Sequence, residues 1–342
     1  RLATQAASKL DPADEALRRL MTELPQMRQR MLVECSPLLR NAEILFVKRK
    51  PYSSDHYYTD INNGTSPDRF LPENGIFIYD LRARSERPVV TAANLPGGNG
   101  FIGKISLSFD AKRVLFDFRQ DPASGFRIWE VSVDGTGLRQ VALPPSDEAE
   151  KVARWGRPWH TDDIHPCYLP DGKIIFASTR ARRIVFCAPG ATVTTLYVMD
   201  ADGKNLRRIS ESPVNETAPS VLQDGRVIYT RWEYVDKGFG NVQTLWSMRP
   251  DGSGTAHVYK NNVVLPGGMV DARSIPGTSK LVALAVAHCG FSAGQVVVLD
   301  TRKTRRTKDA MTTVTPEIGM PGMFWHLKTT KFGYFKEPYP LS

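Results

Sequence analysis

The sequence is poor in cysteine and contains no long hydrophobic run. Four cysteines in 342 residues are too few for a disulfide-stapled scaffold. A membrane-spanning helix needs about 18 or more consecutive apolar residues. The longest apolar runs here have the length of a strand, as at residues 281–287. We therefore expect no membrane span in this chain.

Positive charge exceeds negative charge only mildly. There are 45 Lys and Arg against 36 Asp and Glu, a net charge of +9. Nucleic-acid binding requires basic residues clustered on one face, whereas here they are scattered, many of them beside an acidic residue. The densest cluster, at residues 302–308, is typical of a solvated outer loop. The charge pattern predicts no nucleic-acid partner.

Helical periodicity is scarce and confined to the N-terminal part. The pattern predicts a helix that begins at Asp11 and ends at Pro25, with Leu17, Leu20 and Leu24 at helical spacing. The chain also holds 26 glycines and 24 prolines, a composition that favours many turns between short strands.

Most of the chain repeats one pattern of strands and turns. An Asp-Gly turn precedes an apolar strand, and a second apolar strand leads to another Asp-Gly turn. The first-turn positions Asp110, Asp171, Asp224 and Gly277 lie 61, 53 and 53 residues apart. Asp-Gly supplies the positive φ of a tight hairpin, and four strands in roughly 40–50 residues are typical of a propeller blade.

The repeat predicts an all-β fold, a β-propeller over residues 41–342 that follows a short N-terminal helical segment or linker at residues 1–40. Five four-stranded blades are visible, and residues 339–342 resemble the start of a sixth. We expect six or seven blades in the full protein. We also expect both ends to be cuts in a longer polypeptide whose remaining part closes the ring, because proteins avoid open sheet edges.

The blades resemble the TolB-type propeller repeat. In that repeat a Pro-x-x-x-x-Asp-Gly turn precedes a strand, as at residues 166–172, and Met-Asp-x-Asp-Gly follows the third strand, as at residues 199–203. Further segments resemble the propeller part of hydrazine synthase alpha-subunit-like proteins. They are residues 48–58, 161–166, 229–236 and 273–277. The resemblance implies a large exported bacterial protein, periplasmic or extracellular.

One departure from that family concerns the cofactor. Hydrazine synthase does its chemistry on haem c, which is held by Cys-x-x-Cys-His. This motif is absent, and Cys35, Cys167, Cys187 and Cys289 are isolated in the sequence. We therefore expect no cofactor within this chain; a divalent metal ion or a haem from an adjoining segment stays open.

Polar residues recur where blade loops of one face are expected. In a blade, the loop that enters the first strand and the loop that leaves the second lie on the same face, and the Asp-Gly turns lie on the other. The polar groups of these loops predict a binding site at the channel mouth, roofed by the insertions at residues 51–74 and 181–194. The predicted binding residues are His160, Asp162, Asp163, His165, Arg180, Glu216, Arg231, Asp271 and His288.

Two chemical interpretations of these residues stay open. His160, Asp163 and His165 are close enough in sequence to bind a divalent metal ion, or they bond to the backbone of the neighbouring blade. Arg180 and Arg231 recur at similar positions and would suit an anionic ligand, or they form ion pairs with nearby carboxylates.

Two functions follow. The first is a binding or scaffold propeller of a larger exported bacterial protein, which docks a partner or a haem domain on its His/Asp/Arg-rich face. The second is a part of a metal- or haem-dependent periplasmic redox enzyme related to hydrazine synthase. The sequence assigns no catalytic residue.

Overall fold

The computed structural model describes most of the chain. The described residues are 15–50, 67–156, 160–186, 188–235, 237–238, 240–288, 293–315, 322 and 335–341. The chain divides into two compact units. One comprises residues 1–46 and 78–87, and the other residues 47–77 and 88–342. The boundary expected at residue 40 stays a prediction.

The smaller unit contains helix α1, Glu15–Val33. The predicted end at Pro25 is wrong, because the helix runs on to Val33. A proline inside a helix removes one backbone hydrogen bond and bends the helix. The Gln, Met, Arg and Leu residues that follow Pro25 have good helix propensity, and so the helix continues past it. No helix in the described part of the chain is long and apolar enough to cross a membrane.

The remainder is built of short antiparallel strands, which confirms the all-β prediction. Repeat 1 is the sheet β1-β2-β3, with β1 Glu43–Lys48, β2 Gly75–Asp80 and β3 Ser85–Thr91. Repeat 2 contains β4 Phe101–Leu107, β5 Arg113–Arg119, β6 Arg127–Ser132 and β7 Arg139–Gln140. Helix α2, Glu148–Trp155, follows it.

Repeat 3 carries an inserted hairpin between its second and third strands. Its four main strands are β8 Asp163–Tyr168, β9 Ile174–Ser178, β12 Thr195–Met199 and β13 Arg207–Arg208. The hairpin is β10 Ile184–Val185 with β11 Ala188–Thr192. Each main strand pairs antiparallel with the next, in the order β13-β12-β9-β8.

Repeats 4 and 5 have the same plan. Repeat 4 contains β14 Glu216–Val221, β15 Val227–Trp232, β16 Gln243–Met248 and β17 Ala256–Tyr259. Repeat 5 contains β18 Gly268–Ser274, β19 Leu281–Val286, β20 Gln295–Leu299 and β21 Met311–Thr313. One parallel pair, Gln243 with Gly268, joins the two repeats.

The turns between first and second strands follow from the Asp-Gly pairs. Gly172 has φ +84°, a value that glycine adopts without steric cost. Its N–H donates to the Leu169 carbonyl at 3.0 Å, and the Asp171 carboxylate accepts the Lys173 N–H at 3.1 Å. The strand that follows, β9, is buried at every position and packs into the core.

The first strands of repeats 2 to 5, β4, β8, β14 and β18, each contain an irregularity in register. It follows the second paired residue in β4, β8 and β14 and the third in β18. At these bulges His165, Ala218 and Asp271 have φ values of 55°, 51° and 54°. A β-bulge adds a residue to one strand and redirects the side chains around it. The bulges therefore determine which side chains of neighbouring first strands face one another.

Candidate binding site

The loops of repeats 2 to 5 lie at two ends of the strands. At the end that we call the loop face are the loops from second to third strands and from each fourth strand to the next repeat. At the other end, the turn face, are the loops from first to second and from third to fourth strands. The described part of the insertion at 181–194 belongs to the loop face; residues 51–66 lie outside the described residues.

Asp162 connects neighbouring repeats through the backbone. Its carboxylate accepts the Phe126 N–H at 2.9 Å. In the next repeat the Asn215 side-chain oxygen accepts the Thr194 N–H at 2.7 Å. Phe126 and Thr194 each stand directly before a third strand, β6 and β12. The Asp162 side chain therefore fixes one repeat to the one before it.

Asp163 and Arg180 form a buried ion pair. Arg180 Nε lies 2.9 Å from Asp163 Oδ1, and its Nη2 lies 2.7 Å from Oδ2. The Ser178 hydroxyl donates to the same carboxylate at 2.6 Å, and Arg180 also donates to the Leu143 carbonyl at 2.6 Å. This bidentate geometry satisfies a carboxylate that has no exposed surface.

Glu216 and Arg231 form a looser pair. Their closest nitrogen–oxygen distance is 3.9 Å, and Glu216 Oε2 has no hydrogen-bond partner among the residues that the structure describes. Burial raises the pKa of Glu216 to about 7. The Arg231 guanidinium lies 4.8 Å from the centre of the Trp246 ring, a cation–π contact that holds it in place.

The histidines His160 and His288 have separate surroundings. His160 Nδ1 lies 3.4 Å from a carboxylate oxygen of Glu148. The His288 side chain contacts the Gln243 amide, and its ring centre lies 5.6 Å from that of Trp232. These two histidines therefore belong to different local clusters.

No group of three or more His, Cys, Asp or Glu side chains in the described residues could hold a metal ion. The three residues considered for a divalent ion have different principal partners. His160 contacts Glu148, Asp163 pairs with Arg180, and His165 contacts Thr217. The divalent-ion interpretation stays a prediction.

His165 and Asp271 do meet, in a small cavity of about 20 Å³ between the first strands of repeats 2 to 5. We call it the central cavity. Its wall consists of the bulge residues of these strands and their neighbours: Lys104, Ile105, His165, Pro166, Ala218, Pro219, Ser220, Asp271, Ala272 and Arg273. The other seven predicted binding residues do not line it.

Lys104 and Asp117 are central to this arrangement, and the sequence analysis missed both. Lys104 Nζ pairs with Asp271 and so links the first strands of repeats 2 and 5. The buried Asp117 carboxylate accepts the N–H groups of Lys104 at 3.0 Å and His165 at 2.7 Å. Burial raises the pKa of Asp117 to about 7. The available signal was an aspartate in the middle of the apolar run Val-Leu-Phe-Asp-Phe.

Exposed apolar side chains are concentrated on the loop face. In the described part of residues 101–315, ten large hydrophobic side chains are exposed. Eight belong to loop-face segments: Leu143, Trp155, Ile184, Phe186, Val235, Val264, Leu265 and Val314. Of the exposed large hydrophobic side chains described there, only Leu107 and Phe109 lie at the turn face.

An aromatic cluster stands among these exposed residues. Phe186 is at the turn of the β10–β11 hairpin and is 64% exposed. Its ring centre lies 6.3 Å from that of Tyr234, which in turn stacks on the buried Trp232 at 5.1 Å. The cluster therefore connects the exposed tip of the insertion to the core.

Solved structures share this fold. Hydrazine synthase of Kuenenia stuttgartiensis is similar with a TM-score of 0.60 and 16% identity, over 88% of this chain and 40% of that chain. A putative TolB of Agrobacterium tumefaciens is similar with a TM-score of 0.50 and 14% identity, over 82% of this chain and 83% of that one. The chain thus spans less than half of the hydrazine synthase chain.

These similarities support a TolB-like β-propeller fold. At such low identity they show the fold alone. No protein-family model matches the sequence, and no curated protein matches it either. Membership of the hydrazine synthase alpha-subunit-like family stays a prediction.

Proposed function

We propose that this chain is a binding propeller that docks another polypeptide on its loop face. The observation that carries this proposal is the asymmetry of exposed large apolar residues in the described part of residues 101–315, eight at the loop face against two at the turn face. Soluble proteins rarely leave extended apolar patches uncovered unless those patches bind something. Aromatic side chains dominate binding energy at protein interfaces, and Phe186 is the most prominent aromatic side chain there.

The partner that fits best is an adjoining domain of the same exported polypeptide. This chain corresponds to 40% of the similar hydrazine synthase chain, so that protein carries further polypeptide beside its propeller part. Polar groups at the loop face support the same occupant. His160 and Arg231 are partly exposed there and suit the polar rim of a protein interface.

Site-specific photo-cross-linking in the full-length protein tests this proposal. A photoreactive phenylalanine analogue replaces Phe186 in one sample and Phe109 in the control, which is 69% exposed at the turn face. We expect position 186 to cross-link to one defined polypeptide segment, which peptide mass spectrometry identifies, and position 109 to give none. Equal labelling at both positions, or none at 186, would contradict the proposal.

We infer further that residues 335–341 are the innermost strand of a sixth blade. Asp163 and Glu216 donate their N–H groups to the Phe126 and Thr194 carbonyls at the neighbouring third strands. Phe335 makes the corresponding bridge to Gly294, directly before β20.

The backbone beyond that bridge supports the same inference. Glu337 has φ 51° and precedes Pro338, as His165 precedes Pro166 and Ala218 precedes Pro219. The positive φ and the following proline thus recur two residues after the bridge. Five blades before this segment, and six or seven in the whole protein, are the arrangement that we propose.

The second candidate function is a part of a metal- or haem-dependent redox enzyme. The fold similarity to hydrazine synthase favours it, and the divalent metal or haem would come from an adjoining segment. A visible absorption spectrum and an elemental analysis of the full-length protein test it. A haem band or a stoichiometric metal would support it, and the absence of both would remove it. Either function is proposed for a periplasmic or extracellular protein.

A further inference from the structure

The third-to-fourth turns of repeats 2, 3 and 4 lie tightly against the repeat before them. A Cβ added at Gly135, Gly203 or Gly252 would lie 2.9, 2.3 or 2.3 Å from a backbone carbonyl oxygen of the preceding repeat. Only glycine fits so close an approach at a positive φ. These turns therefore leave no room for a side chain between neighbouring repeats at this point of the turn face.

Repeat 5 departs from this plan. Its connection from the third to the fourth strand, residues 300–310, contains no glycine and carries five basic residues. Beside it an open cleft of about 270 Å³ lies between repeats 4 and 5. We call it the outer cleft. It is lined by the first turns of both repeats, by β17 and by the basic connection of repeat 5.

The lining of the outer cleft has an excess of positive charge. Its charged side chains are Asp224, Arg226, Lys280 and Arg305. Asp224 accepts a hydrogen bond from Arg226 Nε at 2.8 Å, and these two charges balance each other. Burial lowers the pKa of His257, which also lines the cleft, so that its ring is neutral at neutral pH. Lys280 and Arg305 supply the positive charges that remain.

These two cations are not paired within the described part of the chain. Neither Lys280 nor Arg305 has a carboxylate within ion-pair distance there. The acidic residues of the basic connection, Asp300 and Asp309, lie outside the lining. Asp300 is itself paired with Arg302 at 3.2 Å. The cleft therefore offers two cations to a ligand.

The rest of the lining combines hydroxyl groups with an apolar surface. Ser279 and Thr301 have hydroxyl groups that make no hydrogen bond among the described residues. Leu222 and Val258 are partly buried and pack against the hydrophobic core. A cleft that combines a few polar groups with apolar side chains is typical of small-molecule binding.

We propose that the outer cleft binds a small organic phosphate monoester. Such a group carries about two negative charges at neutral pH, and these match Lys280 and Arg305. Its oxygens accept hydrogen bonds from ammonium, guanidinium and hydroxyl groups. Its carbon part packs on Leu222 and Val258. The cleft lies at the turn face, so this binding goes beyond the docking proposed for the loop face and is independent of it.

Three probes test this proposal on the full-length protein by calorimetric titration at neutral pH and constant ionic strength. Phenyl phosphate has both the phosphate and an apolar part, inorganic phosphate lacks the apolar part, and phenol lacks the phosphate. We expect saturable binding of phenyl phosphate, with affinities for the other two about tenfold weaker or more. If phenyl phosphate does not bind saturably, or if either other probe binds as well, the proposal is overturned.

Two pairs of variants locate the site. Arg305→Gln removes a cation of the cleft, and Arg306→Gln removes one from the same connection outside the lining. Lys280→Gln and Lys303→Gln form the second pair in the same way. All four side chains are exposed, so the fold should tolerate each change. We expect Arg305→Gln and Lys280→Gln to weaken phenyl phosphate binding about tenfold or more, and each control to weaken it less than about twofold.

Within each pair the net charge of the protein changes equally. Equal losses in a variant and its control would therefore show attraction by net charge alone and would refute the assignment, as would unchanged affinity in Arg305→Gln and Lys280→Gln. Absence of cross-linking at Phe186 with intact phenyl phosphate binding would contradict only the proposed function. The reverse result would contradict only the phosphate site.

Discussion

Two glycines in repeat 3 allow the turn geometry to be tested with a matched pair of substitutions. Gly172 follows β8 and Gly203 follows β12, and both have φ +84°. A Cβ added at Gly172 would meet no atom within 4 Å. A Cβ added at Gly203 would lie 2.3 Å from the Val141 carbonyl oxygen. The two positions therefore share the backbone strain and differ only in available space.

The expected costs follow from these distances. Alanine at a left-handed position costs about 1–2 kcal/mol of stability. Because alanine has less conformational entropy than glycine in the unfolded state, about 0.4–1 kcal/mol of this cost is offset. Gly172→Ala should therefore lower the free energy of unfolding by about 1 kcal/mol. Gly203→Ala must in addition displace backbone of the preceding repeat, an overpacking that costs a further 1–3 kcal/mol or so. Its total cost should be about 2–4 kcal/mol.

Urea unfolding of both variants and the parent measures these costs directly. Equal losses, or a larger loss for Gly172→Ala, would refute the packing that the structure gives to the third-to-fourth turn. Docking at the loop face should be unaffected in both variants, because both glycines lie at the turn face. Loss of docking in Gly172→Ala without loss of stability would show that the partner docks at the turn face.

Further predictions concern the buried charges. Lys104→Met should lower the free energy of unfolding by about 3–5 kcal/mol, because it leaves Asp271 buried without its cation. Lys204→Met, which removes an 80%-exposed cation, should leave it unchanged in the same urea titration. Glu216 has a folded-state pKa of about 7 against a usual value of 4.5, so the folded state binds more protons between these values. Stability should thus fall as pH rises from about 5 to 7, and Glu216→Gln should flatten this slope in melting curves; an unchanged slope would contradict the cause assigned to it.

The repeat architecture could be predicted from the sequence because it is encoded locally. Asp171 and Gly172 determine a turn by their own backbone preferences and side-chain bonds, and the apolar strand that follows is visible in the sequence. The helix end at Pro25 was predicted wrongly, since a single proline does not outweigh the helix propensity of the residues after it.

The candidate site was less predictable, because its residues are brought together by backbone register. On loop position alone, His165 was grouped with residues such as Asp163. In the structure, bulges direct the side chains of His165 and Asp271 toward a cavity, whereas Asp163 pairs with Arg180. A bulge has no clear signature in hydrophobic periodicity. The role of Lys104 depends on a partner 167 residues away, which no local pattern reveals.

The different lengths of the connections at the two strand ends have a consequence for how this fold can change. At the turn face, Asp and Gly residues in short connections determine the geometry of the hairpins. There Gly203 also contacts the preceding repeat. At the loop face, the insertion at 181–194 leaves the pairing of β9 with β12 unbroken. Lengthening a loop there adds little entropic cost. New recognition segments can therefore be grafted at one end of the strands while the other end continues to specify the scaffold.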